Sequence, residues 1–477
     1  MDYKKQQLIN GVFWSGLDKL GVIVLQLLLE IVLARFLLPR DYGVIGMASI
    51  FIALGSLFSE SGFSNALIQK QDRSEQDFST AFYFNLLVSI VFVVLIFISA
   101  PFIANFFETP ILTNVLRILS ISVIFNAIVM VHKTKLSISL DFKTQARVSF
   151  ISLLLSGIIS LILVLNGFGV WGLVTQILLQ SFFNALLFQI SLKWIPLICF
   201  SNESFKNLIN FGGKILLAGI LQSAYVNTYN LLIGKKISAS TLGIYTKSNQ
   251  FTTMPSTLFS GILQRVMFPY FSSFQHDNEK IYRLNQDFTN LVCIVVFPVF
   301  LFLALFAKPL VFYGLSVEWL AAAEVIKVLA ISVILYPITI NNMILFQVKN
   351  KTSFFLVLEI FTKLTGGIIL LLTINHGLLA ICYGLLVQQI LQFLITSISV
   401  QILLQKSILN QIKVILPYCI IGGIIYILID YLDKILGQKL LIFFISGVGM
   451  FTIYYAFVYF VVLRSKIAII LNLIKNK

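Results

Sequence analysis

The chain has 477 residues, of which 58% are hydrophobic and only 11% charged, with a formal net charge of +15 and a mean hydropathy of +0.96. So little charge cannot cover a soluble surface, and long continuous apolar runs exclude a strand-alternating barrel. The composition therefore predicts an all-α polytopic membrane protein. The surplus Lys and Arg sit mostly in short loops, which points to membrane orientation and away from nucleic acid.

In chain order the apolar pattern predicts about fourteen spans, at roughly 11–37, 42–66, 80–104, 111–132, 145–165, 168–192, 207–233, 239–268, 286–307, 320–346, 352–374, 377–404, 413–431 and 440–463. The first lies in the run Gly11 to Arg40, which carries Asp18, Lys19 and Glu30. On a helix Ser15, Lys19, Gln26 and Glu30 share one face, and membrane charge of this kind turns toward a protein interior or a wet cavity. No small-residue cleavage site follows the N-terminus, so this helix is expected to remain as an uncleaved anchor. Counted by loop, 21 Lys and Arg fall on the N-terminal side of the membrane and 7 on the other, which predicts that both termini are cytoplasmic.

An internal repeat organises the rest. LARFLLPRDYGVIGMASIF at 33–51 lies over IGKKISASTLGIYTKSNQF at 233–251, pairing Gly43 with Gly243. LRILSISVIF at 116–125 lies over IKVLAISVIL at 326–335, pairing Arg117 with Lys327, and APFI at 100–103 matches KPLV at 308–311. Spans 1–6 thus resemble spans 7–12 in parallel orientation, as expected of a two-lobed transporter with a cavity between its lobes. The expected domains are an N-terminal six-helix lobe at 1–200, a C-terminal six-helix lobe at 201–405, and helices 13–14 with a cytoplasmic tail at 406–477.

Cys199, Cys293, Cys382 and Cys419 stand singly and read as small buried hydrophobes, and His132, His276 and His376 are equally isolated. No metal site, cofactor or catalytic residue is expected. There is also no phosphate-cradling glycine loop followed by Lys and Ser or Thr.

The intramembrane cations Lys19, Arg117, Lys214, Lys247 and Lys327 come from both halves and predict an anionic substrate group. Against this stands snorkelling to an interface, which suits Arg117 and Lys327 near their span starts. Lys214, Gln222, Tyr225 and Tyr229 fall near one face of span 7 beside Asn227 and Asn230, and Gln26 joins the stripe on span 1. Amides, hydroxyls and aromatic faces suit a sugar, and they equally suit helix–helix contacts. Asp18, Glu30 and Glu60 are candidate ion-coupling carboxylates, whereas Glu359 and Lys363, four residues apart, are expected to neutralise each other. Pro255, Pro298 and Pro337 are expected to interrupt spans 8, 9 and 10.

ARFLLPRDYGVIGMASIF, SGFSNALIQKQDRSEQDFSTAFYFN and NGFGVWGLV resemble the N-terminal half of Wzx-type polysaccharide repeat-unit flippases of the MOP superfamily. IYTKSNQFTTMP and RVMFPYFSSFQHD in the second half are similar to the same group. The chain departs from the pattern at Lys247, where the family's Y-x-R carries Arg, so bidentate anion recognition there is weakened. The resemblance covers about spans 1–12. It implies a bacterial inner membrane protein, not an enzyme, that carries undecaprenyl-diphosphate-linked oligosaccharide of O-antigen, capsule or exopolysaccharide type by alternating access. Membrane lipids, a proton or sodium ion for coupling, and the polysaccharide polymerase machinery are the implied partners. A lipid II flippase and a multidrug exporter of the same superfamily are the alternatives. A polytopic glycan polymerase or ligase stands further off, because those enzymes need a sizeable exterior loop.

Overall fold

The computed structural model describes residues 21–60, 62–436 and 440–463, and every regular element among them is helical. The chain divides into two compact units, Met1–Thr246 and Lys247–Lys477.

The first unit contains α1 (Gly21–Ala34), α2 (Pro39–Glu60), α3 (Phe63–Gln69), α4 (Glu75–Phe106), α5 (Leu112–Ile138), α6 (Phe142–Leu165), α7 (Val170–Leu192) and α8 (Asn202–Lys236). It also contains the start of α9 (Ala239–Ser272). Lipid is as apolar as leucine, so close helix contact relies on small residues and interhelical hydrogen bonds. The pairing of α6 with α7 follows this rule. Ser152, Ser156 and Ser160 recur every four residues along one buried face of α6, and the Ser160 hydroxyl donates to the Gly172 carbonyl on α7 at 2.8 Å.

Ser74 starts α4 with a capping box. Its hydroxyl accepts from the Asp77 amide while the Asp77 carboxylate takes the Ser74 amide, and Lys70 completes the group at 2.8 Å. Span 2 of the sequence reading is divided at Gly62, whose φ of +68° turns the chain between α2 and α3. A Cβ at Gly62 would lie 2.3 Å from the Gly212 carbonyl oxygen on α8, so α3 and α8 approach backbone to backbone.

Pro101 sits inside α4 and removes the amide that would bond the Phe97 carbonyl. Arg117 on α5 takes that place, with Nε donating to the Phe97 oxygen at 3.3 Å and the guanidinium carbon 4.4 Å from the Phe97 ring centre.

The second unit contains the rest of α9, then α10 (Asn278–Leu305), α11 (Ala307–Gly314), α12 (Leu320–Val333), α13 (Tyr336–Val348), α14 (Thr352–Thr373), α15 (Leu378–Leu404), α16 (Ile408–Leu436) and α17 (Leu440–Phe457). Here the repeat counterparts of α4 and α5 are each broken in two. Phe306 separates α10 from α11, and Pro337 lies in the first turn of α13 after a break at Ile334–Leu335. Pro298 and Pro417 lie within continuous helices, as does Pro255 on α9.

Helices α16 and α17 are built into this unit through a polar seam on α10. Gln411 donates to Asn342 Oδ1 on α13 at 3.1 Å and to the Thr289 hydroxyl at 3.4 Å. One to two turns further along, the Tyr418 hydroxyl donates to Asn290 and the Tyr454 hydroxyl to the Cys293 carbonyl. Phe288, Val292, Val296 and Phe300 of α10 surround the seam and share a buried cluster with Ile415, Ile421, Ile425 and Met450.

Where the residues are described, the predicted runs are mostly helical, with breaks inside them at Gly62, Phe306 and Ile334–Leu335. Among the described residues ten stretches are long and apolar enough to cross a membrane, and Gly21–Ala34 and Ile445–Phe460 are shorter apolar helices. Helices α8 and α9 have 35 and 34 residues and are long enough for a crossing but are not among those ten. Their polar load sets them apart: α8 alone carries Lys214, Gln222, Asn227 and Asn230 along its middle.

Candidate functional site

Lys19 and Asp18 lie outside the described residues. Gln26 and Glu30 are half-buried one turn apart on α1, and Glu60 is exposed as the last residue of α2. On α8 Lys214 and Gln222 are exposed, Tyr225 is half-buried and Tyr229 is buried. The Tyr225 and Tyr229 rings stand edge to face with centres 6.5 Å apart, so the polar-aromatic face of span 7 forms in part. Asn227, beside it, turns back on its own helix and donates to the Ser223 carbonyl at 2.9 Å.

The four described cations do not behave alike. Arg117 has its Nε on the Phe97 carbonyl, a polar contact within the protein. Lys247 is buried, with 3% of its surface exposed, and its ammonium donates to the Gln250 side chain at 3.2 Å. Lys327 is half-buried on α12 with Nζ 5.2 Å from the Tyr426 ring centre, close enough for cation–π attraction. Glu359 and Lys363 pair at 3.6 Å as expected.

Tyr426 also lines a cavity of about 310 Å³ inside the second unit. Its walls come from Phe297 on α10, Ile331 on α12, Leu335 in the break before α13, Leu386 on α15, and Gly422 on α16. Gly422 and Gly423, with no side chains, leave the space between α16 and its neighbours. Lys327 lies one helical turn from Ile331, so a cation stands beside an otherwise apolar chamber. Chemically, this arrangement can hold an amphiphile by its chain and its anionic end together.

Two of the four cysteines depart from the sequence reading. Cys293 and Cys382 are buried, but Cys199 is half-buried and Cys419 is exposed on the cavity wall. Among the described residues no group of three or more His, Cys, Asp or Glu could hold a metal ion. Sequence reasoning missed Pro101 as the reason for Arg117, and it missed the α10 seam. The first could have been found from a proline in an apolar run with an arginine on the next helix.

Residues 32–324 match the family described as polysaccharide biosynthesis protein. The chain is 26% identical to the teichuronic acid biosynthesis protein TuaB of Bacillus subtilis, over 82% of this chain and 81% of that protein. It is 24% identical to the succinoglycan biosynthesis transport protein ExoT of Rhizobium meliloti, over 68% of this chain and 65% of that protein. With the lipopolysaccharide biosynthesis protein WzxC of Escherichia coli it shares 23% identity, over 73% and 72%. In fold it is similar to the lipid II flippase MurJ in an inward closed conformation, with a TM-score of 0.75 at 15% identity, over 94% of this chain and 99% of that one. It is also similar to an inward-facing multidrug resistance MATE transporter of the MOP superfamily, with a TM-score of 0.61 at 16% identity, over 82% and 99%.

Proposed function

We propose a function from one established premise: the chain belongs to the polysaccharide biosynthesis protein family. It moves lipid-linked oligosaccharide repeat units across the bacterial inner membrane for surface polysaccharide assembly, and is a transporter, not an enzyme. The observation that carries this reading is the family match over 32–324, joined by relatives named for teichuronic acid, succinoglycan and lipopolysaccharide biosynthesis, one of them as a transport protein. The fold likeness to MurJ and MATE supports a MOP-type transporter and does not choose among cargoes.

In this reading the chain crosses the membrane fourteen times with both termini cytoplasmic, as two six-helix lobes at 1–200 and 201–405 followed by 406–477. Access alternates between the two sides. Lys19, Lys214, Lys247 and Lys327 attract the diphosphate, and Arg117 contributes through the outer edge of a guanidinium already anchored at Nε. Gln26, Gln222, Tyr225 and Tyr229 face the sugars. Asp18, Glu30 and Glu60 supply the carboxylate that couples motion to a proton or sodium gradient, and the polymerase machinery receives the product.

The test is accumulation of lipid-linked oligosaccharide on the cytoplasmic face in cells carrying Lys214→Gln, Lys247→Gln or Lys327→Gln. Accumulation with normal protein levels supports the reading. Clearance at the parental rate by all three, together with surface polymer unchanged when the gene is deleted, overturns it.

A further inference from the structure

The segment after α7 has an unusual chemical polarity. Residues 194–200, Trp-Ile-Pro-Leu-Ile-Cys-Phe, form no helix, and their apolar side chains face outward: Ile195 is 75% exposed, Leu197 51%, Ile198 99% and Phe200 50%. A loop in water does the reverse, hiding such side chains and solvating its backbone.

The backbone is tied down by polar contacts on its inner side. The Leu197 amide donates to the Ser79 hydroxyl at 2.9 Å, and the Ser201 amide to the Thr80 hydroxyl at 3.1 Å. Trp194 Nε1 donates to the Glu75 carboxylate at 2.7 Å, and Gln189 donates to the Trp194 carbonyl at 2.9 Å. Lys135 holds the same Glu75 carboxylate at 2.6 Å and lies 5.0 Å from the Trp194 ring. Four residues of α4 and α5 thus hold the chain extended, with its apolar edge presented outward.

The position of this edge identifies what it meets. Phe182, Leu186 and Ile190 are exposed one turn apart along α7, one of the membrane-crossing helices, and Ile195 follows five residues after the last of them. The outward row continues the exposed apolar surface of α7 past the end of a helix long enough to span the hydrocarbon core. Lys193 and Lys206, both exposed, flank the row, and Glu203 is the single acid between them.

We propose that residues 194–200 are an interfacial anchor, a fixed apolar edge that inserts Ile195, Leu197, Ile198 and Phe200 into the bilayer surface while Lys193 and Lys206 engage anionic lipid headgroups. The anchor fastens the end of the first six-helix repeat to the membrane surface before the chain enters α8.

The experiment uses the full chain in nanodiscs containing phosphatidylglycerol. Cys199→Ser and Cys419→Ser remove the accessible thiols, and an environment-sensitive fluorophore is placed at Ile198→Cys or, for comparison, at Gln71→Cys in the turn between α3 and α4. The expected result at 198 is blue-shifted emission, quenching by lipid-borne nitroxides and loss of quenching by aqueous iodide, with the opposite pattern at 71. Raising the phosphatidylglycerol fraction should deepen the lipid quenching, and Lys193→Gln with Lys206→Gln should remove that dependence. Iodide quenching at 198 equal to that at 71 overturns the proposal. So does protection from both quenchers, which would mean the edge is covered by protein. Lipid quenching that ignores lipid charge in the parent overturns the headgroup contact.

Discussion

Gly43 and Gly243 meet at the starts of α2 and α9, and neither leaves room for a methyl group. A Cβ on Gly43 would lie 1.7 Å from the Ala239 carbonyl oxygen, and one on Gly243 would lie 1.7 Å from the Pro39 carbonyl oxygen. The relation is reciprocal: 39 stands to 239 as 43 stands to 243, which is the spacing at which the segment 33–51 repeats at 233–251. Equivalent positions of the repeat face one another here, as around a local twofold axis.

Gly43→Ala and Gly243→Ala should therefore each push the two helix starts apart, since the obstructing atoms are backbone and cannot rotate away. Overpacking of this kind costs about 1–3 kcal/mol. Thermal stability of the purified protein and surface polymer in cells are the measurements, with Gly314→Ala, which meets nothing within 4 Å, as the neutral comparison. Equal behaviour of all three variants would mean the contact is not needed.

Arg117 and Pro101 should be coupled. Arg117→Leu leaves the Phe97 carbonyl without a donor and should cost about 1–3 kcal/mol. Pro101→Ala restores an amide within α4, so Arg117→Leu should be much milder in that background. A double-mutant cycle on thermal unfolding measures the difference. A fully additive pair would show that the arginine does not serve the proline's vacancy.

The carboxylate of Glu108 gives a pH dependence. A hydrogen bond from Lys235, at 2.9 Å, and the attraction of its charge hold Glu108 below its ordinary 4.5. A depressed carboxylate stabilises the fold above its unfolded value, and the effect disappears as pH falls through the folded value. The difference in melting temperature between parent and Glu108→Gln should thus be present at pH 7 and close as the solution becomes acid. Glu108 is fully exposed, so salt should narrow the difference as well. A difference that widens in acid would reverse the assignment.

The α10 seam predicts an unequal pair of effects. Gln411→Leu removes partners from both Asn342 and Thr289 and should cost about 0.6–1.7 kcal/mol, the usual range for an interhelical hydrogen bond in a membrane. Tyr418→Phe removes one bond, to Asn290, and leaves the ring in place against Phe297, so it should cost less. Unfolding in detergent orders the two.

Much of this architecture was legible in the residues because a helix that crosses lipid must satisfy its backbone internally and face outward with apolar side chains, and both demands act on neighbouring positions. The helices over the fourteen predicted runs and the Gly43–Gly243 correspondence follow from such local or repeated signals. The breaks at Gly62, Phe306 and Ile334–Leu335 do not, since each lies within a run that reads as one span. Asn290 and Asn342 were illegible for a different reason. Their partners stand 128 and 69 residues away, and nothing near them in sequence marks them as paired. The candidate cations were found by type, but what each one faces was decided by tertiary neighbours: Phe97 for Arg117, Gln250 for Lys247, Tyr426 for Lys327.

The length of chain between Asn290 and Tyr418 also sets an order of events during synthesis. At about 5–20 residues per second, the 128 residues separating them take roughly 6–26 s to emerge, and Tyr454 follows Cys293 by 161 residues. For that interval α10 has delivered an amide and a carbonyl whose native partners do not yet exist. These contacts of the second unit are therefore completed late, when α16 and α17 emerge. A ribosome stalled before α16 holds an unfinished intermediate and not a smaller transporter.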